Sequence, residues 1–234
     1  MRDWVAASPG GPVEAAESRS AVAVRSTSFP ARELNRIVGV YDVAALEELV
    51  PFYGGASFWV ALDPEAGLDD ELRARGYVPD YPWQKFERGV DPIEARTDLR
   101  IAEAEGPADF GKAFAEGYGL PQALGDFAAA AVGRDGWHCF VAYDATQPVA
   151  AGALFQSGDA GWLGAAATLP SHRGRGAQSA ILAARVERAY ELGLRVLVTE
   201  TGAARDGRPG ASYRNIVKSG FEPTYVRPNY ASPA

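Results

Sequence analysis

A strand, a glycine-arginine loop and a long helix follow one another in the second half of the chain, and this run limits the possible folds most. Residues 161–168 have the small and apolar side chains of a strand, which ends where Pro170 offers no N–H for pairing. The loop, residues 173–178, has the sequence Arg-Gly-Arg-Gly-Ala-Gln. Residues 176–192 then show the amphipathic spacing of a helix, and Gly193 ends it. A strand that turns directly into a helix is typical of an α/β fold.

The loop has the properties of a binding site for a bulky anion. Its two glycines let the main chain approach the anion closely, because no Cβ lies in the way. The first N–H groups of the helix have no partner inside the helix, and the helix macrodipole adds partial positive charge there. Two arginines add full charges that suit phosphate oxygens, so the sequence predicts a pyrophosphate site. The predicted contacts are Arg173, Gly174, Arg175, Gly176, Ala177 and Gln178.

Three classes of phosphate ligand use loops of this kind. A P-loop needs a lysine followed by serine or threonine after its second glycine, and the segment from Gly176 to Gln178 has neither. A dinucleotide-binding loop needs three spaced glycines and an acidic residue about 20 positions on, whereas Glu200 closes a strand farther along. Coenzyme A is the third class, and a plain surface turn is the alternative without a ligand. The strand interrupted at Pro170 favours coenzyme A, because it leaves main-chain groups free for the amides of a pantetheine arm.

The order of elements extends this prediction to the whole chain. Residues 96–234 predict the order β-α-α-β-β-β-α-β-α-β, which implies a mixed sheet flanked by helices and an α/β fold of the α+β type. A composition break at residues 89–92 separates this domain from a smaller N-terminal α/β domain, residues 1–95. Residues 72–77 and 216–221 both run from a helix end through a glycine to an aromatic residue. This weak echo is consistent with a duplication and with a common helix-to-strand junction.

Residues 167–178, the helix after them and residues 212–221 resemble the Gcn5-related N-acetyltransferase (GNAT) family. The family motif, Arg-x-x-Gly-x-Gly/Ala, maps onto Arg173, Gly176 and Gln178, with glutamine in place of the usual glycine or alanine at the last position. The resemblance covers nearly all of the second domain in element order. It implies an acetyl-CoA-dependent N-acetyltransferase that transfers an acetyl group to an amine.

The resemblance also implies roles for particular residues. The main chain of Ala166, Ala167 and Thr168 would hold the pantetheine arm and the thioester, in a V between this strand and the next, residues 195–199. Asn215 would contact coenzyme A. The first domain would be a degenerate GNAT half that serves as a scaffold or as a wall of the substrate site.

Acetyl transfer to an amine needs a base for the amine and can use an acid for the thiolate leaving group. Glu200 ends an apolar strand, and strand ends of α/β sheets open onto ligand crevices, so we predict Glu200 as the base. The family often uses a tyrosine four residues before the Gly-Phe pair as the acid, and this position is Ile216 here. Pro209 replaces an asparagine that is often found seven residues earlier. We therefore predict Tyr213, on the same short helix, as a substitute acid.

The composition argues against several other functions. A formal net charge of −7 does not suit nucleic-acid binding, which needs a basic face. No apolar run reaches about 18 residues and residues 1–19 lack the pattern of a signal peptide, so we expect a cytoplasmic protein without a membrane partner. The single cysteine, Cys139, cannot form an internal disulfide and is expected to be a buried apolar side chain. Two histidines and scattered carboxylates show no metal-ligand spacing, so no metal is expected.

Functions from different classes fit these observations. The first is an N-acetyltransferase that uses acetyl-CoA and acts on a small-molecule or peptide amine, including a lysine side chain. The second is a non-catalytic acyl-CoA-binding regulatory module, which Ile216 and Pro209 favour because they replace residues that the family often uses. A nucleotide-binding enzyme is the third. The acceptor and the oligomeric state have no signature in the sequence.

Overall fold

The computed structural model describes Val5 and residues 10–233, and these residues pack as two compact units. The first unit holds the described residues up to Gln84 together with those from Tyr225 onward, and the second unit is Lys85–Thr224. Residues 1–4 and 6–9 lie outside the described residues. They belong to the predicted N-terminal domain and to the segment, residues 1–19, that is expected to lack a signal peptide. No helix of the described residues is both long and apolar enough to cross a membrane.

The first unit is a small mixed sheet with two α-helices. Its elements are β1 (Val13–Ser18), β2 (Ala21–Ser26), β3 (Arg36–Val38), α1 (Val43–Leu49), β4 (Trp59–Ala61), α2 (Asp69–Ala74), most of β5 (Val78–Arg88) and the end of β11 (Glu222–Ala231). Strand order runs β1-β2-β3-β4-β11, in which only β3 and β4 are parallel. Apolar side chains on one face of this sheet, including Ile37, Val60 and Tyr230, pack against Leu46 and Leu72 of the two helices.

Two elements of the first unit have the bounds that the residue types alone predict. Residues 43–49 predict a helix and residues 21–26 predict a strand, and these are the bounds of α1 and β2. The strand β1 was not predicted, because its alanine and glutamate residues have low β-propensity. It forms as the edge strand of a hairpin with β2, in which Val13 pairs with Ser26 and Ser18 pairs with Ala21.

The second unit contains the predicted strand-loop-helix run. Its elements are the end of β5, β6 (Arg100–Glu103), α3 (Pro107–Tyr118), α4 (Gln122–Ala129), β7 (Trp137–Asp144), β8 (Gln147–Ser157), β9 (Ala160–Thr168), α5 (Ala177–Glu191), β10 (Val196–Gly202), α6 (Ala211–Lys218) and the start of β11. This order is the one that the sequence predicts. Strand order runs β10-β9-β8-β7-β6, and β9 and β10 are the parallel pair. The predicted α/β class with a mixed sheet flanked by helices is confirmed.

Helices cover both faces of the sheet in the second unit. A Cβ on Gly152 of β8 would lie 2.7 Å from Ile181 Cγ2, so this face of the strand packs on α5. The neighbouring residue, Ala151, pairs with Ala167 of β9, and a Cβ on Gly117 of α3 would lie 2.7 Å from Ala167 Cβ. Since adjacent residues of a strand point to opposite faces, α3 and α5 lie on opposite sides of the sheet.

The two similar segments of the sequence, residues 72–77 and 216–221, form the same kind of helix C-terminus in the two units. Gly76 and Gly220 have φ angles of 80° and 78°, a left-handed conformation that suits a residue without a Cβ. The residue after each glycine donates its N–H back to the helix, Tyr77 to Leu72 at 3.0 Å and Phe221 to Ile216 at 3.3 Å. The two runs β1–β5 and β7–β11 also have the same order, β-β-β-α-β-α-β, and in each the third and fourth strands are parallel.

The crossing of α3 and α4 depends on two glycines. A Cβ on Gly125 would lie 2.3 Å from the carbonyl oxygen of Gly111, which is closer than any relaxed contact. We expect the Gly125→Ala variant to lower the free energy of unfolding by about 1–3 kcal/mol, because the helices must separate. Gly89→Ala is the control, since no atom lies within 4 Å of its Cβ position. Thermal unfolding followed by circular dichroism compares the two, and equal midpoints would contradict the close helix contact.

Candidate active site

The strands β9 and β10 separate partway along their length. Their register runs from the pair Val196↔Ala160 to the pair Thr199↔Leu163. The Thr199 hydroxyl donates to the Leu163 carbonyl at 2.8 Å and closes the last paired position. Beyond it, β9 continues to Thr168 and β10 continues to Gly202. The predicted opening between these strands is therefore present, and residues 164–168 form one of its edges.

A β-bulge shapes the same segment of β9. One residue of β8, Gly152, lies opposite two residues of β9, Ala165 and Ala166, between the pairs Ala151↔Ala167 and Ala153↔Gly164. Ala165 lies inside the bulge with φ 50°, a left-handed conformation that is unusual for a residue with a Cβ. A bulge adds a residue to one strand and turns its main chain away from regular pairing. The predicted pantetheine contacts Ala166 and Ala167 lie in or next to this irregular stretch.

Side chains from two helices hold the carbonyl groups of this stretch. The Tyr118 hydroxyl, at the end of α3, donates to the Ala166 carbonyl at 2.9 Å. The Gln178 amide, in the first turn of α5, donates to the Ala167 carbonyl at 2.7 Å and to the Thr168 hydroxyl at 2.8 Å. The glutamine that departs from the family motif therefore fixes the end of β9.

Thr168 presents its main-chain groups to the open edge of β9. The next residue, Leu169, donates its N–H to the Val149 carbonyl of β8 at 2.9 Å. Because main-chain groups alternate between the two edges of a strand, the N–H and C=O of Thr168 point away from β8. The Thr168 carbonyl accepts from Arg173 Nε at 3.3 Å on this side.

The loop before α5 has the backbone that the sequence predicts. Gly174 and Gly176 have φ angles of 84° and 81°, which favour glycine. A Cβ on Gly176 would lie 2.3 Å from the Arg96 carbonyl oxygen, so no larger residue fits without a shift of the chain. Gly176 is the N-cap of α5 and has no side chain that could accept from the N–H groups of the first turn, which include those of Ala177 and Gln178.

The two arginines of the loop contact protein acceptors. Arg173 donates from Nη2 to the Gly117 carbonyl at 3.2 Å, in addition to its bond to Thr168, and so links the end of α3 to the end of β9. Arg175 pairs through Nη1 with Asp144 at 2.5 Å and through Nη2 with Asp98. Their binding of phosphate oxygens stays a prediction, and the geometry of the loop favours main-chain contacts to an anion.

The ion pairs of Arg175 change the acidity of both carboxyl groups. Hydrogen bonding to the Arg175 guanidinium is the largest cause that lowers the pKa of Asp98 and of Asp144 below the ordinary value. His172 Nε2 lies 3.2 Å from the same Asp144 oxygen and contributes to the lower pKa of Asp144. Asp98 precedes β6 and Asp144 ends β7, so Arg175 connects the loop to two strands.

The predicted base, Glu200, lies immediately after the last paired residue of β10. Its side chain is 9% exposed, and its Oε2 lies 2.7 Å from Lys85 Nζ of β5. The short apolar run of β10 places it there, because Leu197 and Thr199 point into the protein and Glu200 follows on the alternate face. A buried carboxylate beside an ammonium group therefore stands at the point where β9 and β10 separate.

The predicted acid and the predicted coenzyme A contact on α6 have different surroundings. The Tyr213 ring packs edge-on against Phe86, with ring centroids 4.9 Å apart and an interplanar angle of 80°. Ile216, which occupies the family's usual acid position, is 8% exposed and packs in the core of the second unit. Asn215 is partly exposed next to it. The core contact of Ile216 thus sets the orientation of the helix that carries Tyr213 and Asn215.

Cys139 is a buried side chain of β7, as expected. Burial raises the pKa of its thiol to about 12, and Arg185 only partly offsets this effect. A thiol with so high a pKa is not a nucleophile at neutral pH. Among the residues that the structure describes, no three His, Cys, Asp or Glu side chains are grouped as metal ligands.

Residues 108–208, which lie within the second unit, match the model of the acetyltransferase (GNAT) family, so this part of the chain is a GNAT domain. The family prediction is thereby confirmed. Because the family is one of acetyltransferases, the match supports acetyl transfer as the general class of reaction. No curated protein matches the sequence.

Solved structures with this fold cover nearly the whole chain. A GCN5-related N-acetyltransferase from Kribbella flavida is 18% identical, with 94% of this chain and 90% of that chain covered and a TM-score of 0.66. One from Sphaerobacter thermophilus is 15% identical, with 92% and 81% covered and a TM-score of 0.66. A tandem GNAT protein from the clavulanic acid biosynthesis pathway is 12% identical, with 100% and 89% covered and a TM-score of 0.63. At these identities the likeness defines the fold.

One side chain that contacts the bulge has no role in the sequence-based prediction. Arg185 is 1% exposed and donates to the Gly164 carbonyl. A charged residue in a helix is expected at the surface, so the sequence does not predict this buried contact. The available signal is its spacing, because it lies four residues after Ile181 and four before Ala189, on the apolar face of α5.

The anchoring of the loop by Arg175 has a measurable consequence. We expect Arg175→Met to raise the pKa of Asp98 and of Asp144 toward about 3.9, because the cation that favours their charged forms is removed. In the wild-type protein these lowered pKa values mean that the ion pairs stabilise the fold at neutral pH, and the contribution is lost as the pH falls through the lowered pKa values. Titration of the carboxyl carbons by NMR measures the change.

The control is Arg173→Met, since Arg173 donates to carbonyl groups and not to these carboxylates. It should leave the pKa of Asp98 at its wild-type value. Unchanged titration of Asp98 and Asp144 in Arg175→Met would show that the ion pairs do not persist in solution.

Proposed function

We propose that this protein is an acetyl-CoA-dependent N-acetyltransferase whose acceptor is a small-molecule or peptide amine. The observation that carries the proposal is the separation of β9 from β10 in the strand that leads to the Gly174–Gly176 turn. The open edge of β9 suits the amides of a pantetheine arm, and the uncapped first turn of α5 suits a diphosphate. The chain's residues therefore fit acetyl-CoA, which would supply the activated acetyl group.

Thr168 is our proposed site of oxyanion stabilisation. Attack of an amine on a thioester places negative charge on the carbonyl oxygen, and an oriented N–H lowers the energy of that charge. The N–H of Thr168 faces the open edge of β9, and its position is fixed from three directions. Arg173 holds the carbonyl, Gln178 contacts the hydroxyl, and Gly117 packs against the main chain. A donor held in this way needs little reorganisation during the reaction.

Glu200 is our proposed base and Tyr213 our proposed acid. An ion pair with Lys85 stabilises the carboxylate form of Glu200, which is the form that accepts a proton from the attacking amine. Its place at the separation of β9 and β10 is next to the expected position of the thioester. The Tyr213 ring packs against Phe86, and its hydroxyl would protonate the thiolate.

We further propose that the first unit is a degenerate GNAT half without a pyrophosphate site. Its run of elements matches that of the second unit, and α1 corresponds to α5. Asp42 is the N-cap of α1, and its carboxylate accepts from the Ala45 N–H at 2.8 Å and pairs with Arg19 at 2.9 Å. A carboxylate thus occupies the helix end where a phosphate would bind. Such an arrangement supports one acetyl-CoA per chain.

The first test is binding of acetyl-CoA by calorimetry to the wild-type protein and to Gly176→Ala. We expect one site per chain in the wild type, and an affinity at least about 10-fold lower in the variant, since a Cβ at Gly176 collides with Arg96 and shifts the loop. Gly193→Ala is the matched control, because Gly193 has the similar φ of 70° at the other end of α5 and no atom within 4 Å of its Cβ position. Equal affinity in both variants would contradict the loop as the site.

A non-catalytic acyl-CoA-binding module is the second candidate function. The observation that favours it is the burial of Ile216 at the position of the family's acid. Release of free thiol from acetyl-CoA over a broad panel of amines separates the two candidates. Release that depends on an amine supports the transferase, whereas binding without release from any amine supports the module.

The acid and base assignments predict specific losses of rate. We expect Glu200→Gln and Tyr213→Phe each to lower kcat by about 10²–10⁴-fold, because each removes one proton-transfer group and little volume. The affinity for acetyl-CoA should stay unchanged in both. Glu187→Gln, an exposed carboxylate on α5, is the control. A wild-type kcat in Glu200→Gln would remove Glu200 from the mechanism, and the same result in Tyr213→Phe would remove Tyr213.

A further inference from the structure

A guanidinium group that pairs with no carboxylate among the described residues is buried beneath the bulge of β9. Arg185, in the middle of α5, is 1% exposed. Nη1 donates to the Ala153 carbonyl at 3.1 Å and to the Gly164 carbonyl at 3.3 Å, and Nε donates to the Ile181 carbonyl at 3.3 Å. All three acceptors are main-chain oxygens. Peptide dipoles therefore supply the hydrogen-bond acceptors of this cation.

The position of these acceptors relates Arg185 to the bulge. Ala153 and Gly164 are directly paired residues of β8 and β9, and they form the last pair before the register shifts. The next residue of β9, Ala165, has the left-handed φ of 50°. Arg185 thus bridges the two strands at the base of the bulge, on the face opposite α3.

Space for the guanidinium comes from a glycine. A Cβ on Gly152 would lie 3.1 Å from Arg185 Cζ and 3.3 Å from Nη1, so a larger residue would push the guanidinium away from β8. Gly152 is also the residue of β8 opposite the bulge, between Ala151 and Ala153. The glycine and the arginine therefore fit each other at one place in the sheet.

Burial of this cation is costly to the folded state. Removal of a guanidinium group from water destabilises the folded state, even when hydrogen bonds compensate in part. Desolvation lowers the pKa of Arg185 to about 10, which reflects the same effect. An apolar side chain at this position of α5 would avoid the cost, so the arginine indicates a requirement other than packing.

We propose that Arg185 is a positioning residue that holds the β9 bulge in the geometry needed to bind the pantetheine arm. The left-handed Ala165 and its neighbours must present their main chain to the ligand, and a regular antiparallel ladder would instead pair them with β8. Arg185 fixes the Gly164 carbonyl just before this turn, while Tyr118 fixes the Ala166 carbonyl just after it. The proposal rests on the proposed function, since it concerns the same acetyl-CoA site.

The first experiment needs no ligand. Amide hydrogen exchange by NMR compares wild type with Arg185→Met, which replaces the cation with an apolar side chain of similar length. We expect the amides of residues 165–167 to exchange at least about 10-fold faster in the variant, because the bulge loses an anchor. The amide of Leu197, in the paired part of β10, should be unchanged. Arg188→Met is the control on the same helix, where Arg188 pairs with Glu191.

The second experiment compares two ligands. Acetyl-CoA contains the pantetheine arm, and 3′-phospho-ADP is coenzyme A without that arm. We expect Arg185→Met to lower the affinity for acetyl-CoA at least about 10-fold and to leave the affinity for 3′-phospho-ADP within about 2-fold, since the loop at Gly176 is unaffected. A general loss of stability would weaken both ligands, and a role limited to packing would weaken neither.

Arg185→Lys supplies a second variant that retains the buried charge. Its ammonium group can reach fewer of the three carbonyls, so the ratio of the two affinities should fall between those of wild type and Arg185→Met. If Arg185→Met does not fold, the ratio for Arg185→Lys decides: an unchanged ratio overturns the proposal. Wild-type protein that binds neither ligand would contradict the proposed function, whereas unchanged exchange at residues 165–167 would contradict the role of Arg185.

Discussion

The separation of β9 from β10 after the pair Leu163–Thr199 is the constraint on which the site depends. A parallel pair that continued to Thr168 would bury the main-chain groups of β9 in a ladder. The bulge at Ala165 interrupts regular pairing, and side-chain donors satisfy carbonyl groups of the irregular stretch. Hydrogen bonds from Arg173, Tyr118, Gln178 and Arg185 thus hold the carbonyl groups of residues 164 and 166–168, and the N–H of Thr168 faces the open edge.

The two units share one run of elements but differ in the residue at the start of the helix after the third strand, and our proposed anion site depends on that residue. In the second unit the N-cap is Gly176, with a positive φ and an open first turn. In the first unit the N-cap is Asp42, whose carboxylate accepts from the first turn of α1. Both residue types are found at N-caps, so either one allows a helix to begin there. In our proposal only the glycine leaves room and charge complementarity for a phosphate.

The sequence predicts the order of elements and the loop because both depend on local signals. Alternating and helical periods mark the strands and helices, and the glycines at 174 and 176 mark the turn. The roles of the loop arginines could not be predicted in the same way. Arg175 contacts Asp144 and Asp98, which lie 31 and 77 residues away along the chain, and no local pattern brings them together. The charge of Arg185 predicts a position at the surface. No local pattern indicates its burial, because two of its acceptors are main-chain oxygens of strands that are distant along the chain.

Amide chemical shifts recorded during a titration with acetyl-CoA report on each N–H of the open edge and of the loop separately. We expect the largest changes at residues 166–168 and 174–178, at one equivalent of ligand, with little change at Ala45 in the first turn of α1. Saturable changes centred on α1, or none at the open edge of β9 and the start of α5, would contradict this expectation.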